Sequence, residues 1–184
     1  PETWVETVNE IPVLSLPSSY FHEEDTRWQV QGARHHTGIA GWPKSRQDIH
    51  IVKQIDAGKN SVHVSGLTGL HPSDVTEIVK GSRRWDAVLE NAGDYEDDLE
   101  ANREKFYNYF AHEGWNKHIA NWTGFEFTIP EGTKLPNGGT FSNPERLQSL
   151  IKWITQDPPQ VPSMISLRDF KKLAPLNNNF AEEL

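Results

Sequence analysis

Residues 122–138 read WTGFEFTIPEGTKLPNG, and no other stretch constrains the fold as tightly. Phe125, Phe127 and Ile129 alternate with Glu126 and Thr128, the period-2 pattern of a half-buried strand. Pro130 has no amide hydrogen to give to a ladder and Gly132 admits positive φ, so the strand must stop and turn. The alternation puts Glu126 on the face opposite three large apolar side chains. It is then either a solvent-facing strand residue or a carboxylate aimed into a cleft. Charged side chains on the open face of a sheet are ordinary.

The rest of the chain reads as one folded domain over residues 1–184. Apolar residues make up only 35%, but seven Trp and eight Phe are among them, and bulky aromatics build a core from fewer positions. The net charge of −8 argues against a general nucleic-acid coat, which needs a basic surface; it does not exclude a local basic patch, for which Lys80 with Arg83 and Arg84 is one small candidate. Cysteine is absent, which excludes disulfide scaffolds, Cys-ligated zinc and thiol nucleophiles. No run of ~18 apolar residues is present to span a membrane. The opening PETWVETVNE has no charged-then-apolar leader, which gives the expectation that any targeting segment was removed or never existed.

Alternation predicts strands over 11–16, 27–34, 49–55 and 61–65, with 56–60 as a hairpin loop between the last two. Helices are predicted later. The first starts at Pro72-Ser73 and stops at Gly81, and a short one covers 83–91. The longest, 94–112, is N-capped by Asp94 and is read as a candidate insertion. Asn143-Pro144 opens another, with Leu147, Leu150, Ile151 and Ile154 on its buried face. A last short helix covers 167–173, before a polar tail at 177–179. Strands first, helices next, then a strand and helices give an α+β fold with small mixed or antiparallel sheets.

Glu126 followed by Pro130-x-Gly132-Thr133 resembles the closing motif of ADP-ribosyltransferase-fold bacterial toxins and effectors. Arg34-His35-His36-Thr37, at the end of a predicted strand, is similar to the first NAD-binding strand of that family. The resemblance implies NAD as substrate and a mono-ADP-ribosyltransferase or NAD glycohydrolase activity. Glu126 would be the catalytic carboxylate beside the oxocarbenium-like transition state. His35, His36 and Thr37, or Arg34 in the Arg-type role, would bind NAD, and Trp42 or Tyr107 would stack on nicotinamide. It further implies a protein or nucleic-acid acceptor, a cognate inhibitor, and secretion or delivery of a soluble protein into a target cell's cytoplasm. The family's Ser-Thr-Ser strand has no good counterpart, and Gly124 stands where an acidic or amide residue is expected.

Two other classes stay open. His35, His36 and His63, with Asp48 or Asn60, loosely resemble a His-metal nuclease of the HNH type, which would use a divalent cation. The acidic run from Asp94 to Glu100 suits a non-enzymatic interaction or immunity module that neutralises a basic partner. His112 and His118 are not the zinc-protease pair, because six residues separate them and one helix face cannot present both. Trp85, Trp115, Trp122 and Trp153 read as core.

Overall fold

Residues 44–56 bury Ser45, Asp48, Ile51 and Val52, positions three to four apart, and wind as a helix, α1 (Lys44–Asp56). The computed structural model describes residues 42–112 and 114–156, together with Thr26, Val30 and Pro159. The expected strand at 49–55 is therefore corrected. Ile49, Ile51 and Ile55 alternate over a short window, but the buried face of α1 also carries Ser45, Asp48, His50 and Gln54, which hides its helical period.

The strand expected at 61–65 is likewise a helix, α2 (Ser61–Thr68). The Asn60 side chain accepts the His63 amide at 2.9 Å, and Gly69 closes the helix at φ 76. Val64, Leu67 and Thr68 are buried while Val62 is 69% exposed, which is helical spacing and not alternation. The 56–60 loop joins two helices and is not a hairpin. Of the 27–34 stretch, Val30 alone is described and it is helical; 11–16, 167–173 and 177–179 lie outside the described residues.

The longest helix is α3 (Pro72–Glu90), with Pro72 in its first turn and the His71 ring accepting the Ser73 amide at 3.3 Å. It runs through Gly81, so the predicted stop and the separate helix at 83–91 are one continuous element. A Cβ at Gly81 would land on the Ala111 carbonyl, so this glycine permits close helix–helix approach. A 3-10 turn (Gly93–Tyr95), α4 (Glu96–Ala101) and α5 (Arg103–Ala111) follow in place of one helix over 94–112. The break is at Asn102, whose side-chain amide donates to the Asp98 carbonyl at 3.0 Å; Asp94 caps nothing.

Helix α6 (Lys117–Thr123) ends at Gly124, φ 66, and leads directly into β1 (Phe125–Thr128). Strand β1 pairs antiparallel with β2 (Gly138–Phe141), Phe125 opposite Phe141 and Glu126 opposite Thr140. The expected turn forms between them. Gly132 sits at φ 78, and Thr133 bonds back to the Pro130 carbonyl through its amide at 3.1 Å and its hydroxyl at 2.9 Å. Ile129 falls outside the strand and is 55% exposed, so only Phe125 and Phe127 serve the apolar face. Helix α7 (Pro144–Thr155) closes the described part and buries Leu147, Leu150, Ile151 and Ile154 as expected.

The architecture is thus α+β, mostly helical, with a two-stranded antiparallel sheet among the described residues. The N-terminal half of α3 sends Val75 and Ile78 into a small cluster with Ile51 and Val64. Its C-terminal half sends Trp85, Ala87 and Val88 into a larger one shared with α4 to α7 and the sheet. Trp85 packs on Tyr107 and Phe110 with ring centroids 5.5 and 6.2 Å apart.

Candidate functional site

Arg84 lies one turn past Gly81 on α3 and so faces α5 and the sheet. It is only 9% exposed, and its Nη1 donates to the Phe110 carbonyl at 3.1 Å. Its Nε is buried without a hydrogen-bond partner, and no carboxylate lies within ion-pair distance of it among the described residues. Three aromatic rings surround the guanidinium instead: Trp115, Phe127 and Phe125 stand 5.2, 5.8 and 6.0 Å from its Cζ. These residues line a cleft of about 600 Å³, open at a rim that carries Glu77, His112 and Lys117.

Burial lowers the Arg84 guanidinium to about 10, the Glu77 charge opposing the shift in part. It therefore remains a cation at neutral pH. A desolvated cation flanked by ring faces is matched by an anion with a flat apolar body.

His112 follows the last residue of α5 and reaches back to α1, its Nε2 2.5 Å from Asp48 Oδ2. Asp48 is fully buried, and it also accepts from Lys44 at 2.7 Å and from the Tyr107 hydroxyl at 3.2 Å. Burial, and then the Asp48 charge, push the Tyr107 phenol well above its ordinary value, so it stays a donor. A carboxylate with these donors fixes the plane and the tautomer of the imidazole. The cleft thus combines a held cation, an aromatic wall and an oriented imidazole.

The residues singled out from the sequence fall elsewhere. Glu126 is exposed on β1, beside the exposed Thr140, on the face away from Phe125 and Phe127. Arg34, His35, His36 and Thr37 lie outside the described residues. His63 is exposed on α2, Asn60 caps that helix and Asp48 is enclosed by its three donors. No group of three or more His, Asp or Glu among the described residues is placed to hold a metal ion. Tyr107 is 1% exposed and offers no face for stacking; Trp42 packs on His50 at 5.4 Å.

The basic patch dissolves: Lys80 pairs with Glu77, Arg83 with Asp56, and Arg84 turns inward. Asp97, Asp98 and Glu100 are exposed on α4, with Glu100 held by both Arg103 nitrogens that face it. Trp115, read as core, walls the cleft. Sequence reasoning met Arg84 only as part of a basic patch and His112 only as half of a rejected zinc pair, and did not join them. The one available signal was helical phase, since Arg84 shares a face with Gly81 and Val88. No helix among the described residues is long and apolar enough to cross a membrane. Comparison of the chain with protein-family models, with curated proteins and with solved structures finds no match.

Proposed function

We propose that this protein recognises a small organic anion with a flat apolar body, held in the cleft between α3, α6 and β1. The observation that carries the reading is Arg84, a buried guanidinium with no carboxylate partner among the described residues, at the wall of an aromatic cleft. Leaving a charge in that setting is unfavourable unless a ligand completes it. The test is a titration of the full chain with benzoate and with phenyl phosphate, followed by tryptophan fluorescence, since Trp115 borders the site. Saturable quenching and a raised thermal midpoint are expected in the wild type, and loss of both in Arg84→Met. A wild type that responds to neither anion rejects the reading.

A second reading, an ADP-ribosyltransferase-like toxin or effector that uses NAD, draws support from the strand and its Pro-x-Gly-Thr turn, which leave Glu126 open to solvent. NAD in the Arg84 cleft would lie on the other side of β1 from Glu126, so the readings separate. Nicotinamide release in EDTA that is lost in Glu126→Ala and kept in Arg84→Met favours the transferase. Turnover unchanged in Glu126→Ala removes it.

A further inference from the structure

His112 and Arg84 meet in the same cleft from different elements, and their chemistry narrows the ligand. This step rests on the anion reading of the cleft. Asp48 is acceptor-only and takes hydrogen bonds from Lys44 and Tyr107 as well as from His112 Nε2. Nε2 must then carry a hydrogen in the neutral ring, which leaves Nδ1 with its lone pair. The His112 side chain is 19% exposed and borders the cleft, while its Asp48 partner is fully buried. Nδ1 has no hydrogen-bond partner among the described residues, so it is the ring nitrogen left to meet a ligand in the cleft that His112 lines.

A lone pair facing an incoming anion is repulsive, and a proton on Nδ1 turns the contact into a charge-assisted hydrogen bond. We propose that His112 is the proton-taking arm of the Arg84 site, so that the cleft selects a dianionic phosphate monoester over a carboxylate and binds it with uptake of one proton at Nδ1. The balance is simple: solvent supplies the proton, no covalent bond of the ligand changes, and ester release returns the proton. The charged and titratable groups around the ring come from three helices. Asp48 on α1 contacts Nε2, Lys44 on α1 binds the other Asp48 oxygen, and Arg84 on α3 lines the same cleft. Glu77 on α3 is paired with Lys80 at 2.7 Å, Lys117 stands at the rim on α6, and Tyr107 on α5 stays protonated. A bound dianion offsets the two cations and tips the ring to its charged form.

The test is calorimetric titration of the full chain with phenyl phosphate and with benzoate at about pH 8, where the ester is already a dianion. Running it in buffers of different ionisation enthalpy reads the protons taken up from the wild type alone. Uptake approaching one proton per phenyl phosphate, and ~tenfold tighter binding of the ester than of benzoate, are expected. In His112→Gln, whose amide nitrogen takes the place of Nε2 beside Asp48, phenyl phosphate binding is expected to weaken to the level of benzoate, with the uptake abolished. Phenyl phosphate binding without proton uptake, or uptake unchanged in His112→Gln, overturns the inference and leaves the Arg84 reading standing. Binding of neither probe overturns both.

Discussion

Arg84 sets the local energetics of the cleft. A buried cation without a carboxylate partner among the described residues destabilises the folded state, and its stem would pack as well if it ended in a thioether. Arg84→Met is therefore expected to raise stability by about 1 kcal/mol while it removes anion binding, a trade between stability and function that urea unfolding measures. The pH dependence of that gain has a fixed sign. Below about 10, the folded-state value of Arg84, folded and unfolded chains both carry the charge and the folded chain bears its full desolvation penalty. Above about 10, and up to the higher value of a free guanidinium, the folded chain sheds the proton that the unfolded chain keeps, so the penalty shrinks as pH rises. The advantage of Arg84→Met should be full at neutral pH and smaller at about pH 11; an advantage that grows with pH contradicts the assignment. In the sequence, Arg83-Arg84-Trp85 looks like a surface basic pair beside a core residue. Only helical phase separates the two arginines, because Arg83 points to Asp56 and Arg84 points inward.

At the level of elements, the close approach of α3 and α5 positions the cleft. Gly81 lies against the Ala111 backbone, next to His112, and three residues before Arg84. Gly81→Ala improves helix propensity but drives a methyl group into a carbonyl that cannot move without shifting α5. The expected result is a net loss of about 1–3 kcal/mol in urea unfolding, with weaker anion binding because Arg84 and His112 move apart. A gain in stability would show that the two helices separate freely. Polar links from α1 reinforce the arrangement: Ser45 to Glu104, Asp48 to Tyr107 and His112, and Arg83 of α3 back to Asp56. Elements with local signals were legible. Asn143-Pro144 started a helix, Gly132 turned the chain, and Phe125 and Phe127 made a strand. Elements whose buried face is polar were not. Asp48 and His50 lie on the inner face of α1, so residues 49–55 showed a false period of two.

For the molecule as a whole, two clusters of unequal size share α3. Ile51, Val64, Val75 and Ile78 form a small cluster, while the larger one gathers most of the buried aromatics. Local opening should follow that inequality. In native-state hydrogen exchange, amides of α2, which rests on the small cluster alone through Val64, are expected to exchange before those of α3 around Trp85 and Val88. Equal protection of both regions would mean that the clusters unfold as one. The sequence by itself determined the α+β class, the Phe125–Thr128 strand with its turn, and the helix from Pro144, because caps, prolines, positive-φ glycines and apolar spacing act within a few residues. The tertiary structure alone decided the rest. Asp48 and His112 are 64 positions apart, and Arg84 meets Trp115 and Phe127 only after α3, α6 and β1 have packed. A contact between distant residues leaves no period in the sequence, and the charge that marks this cleft is made unusual by its burial.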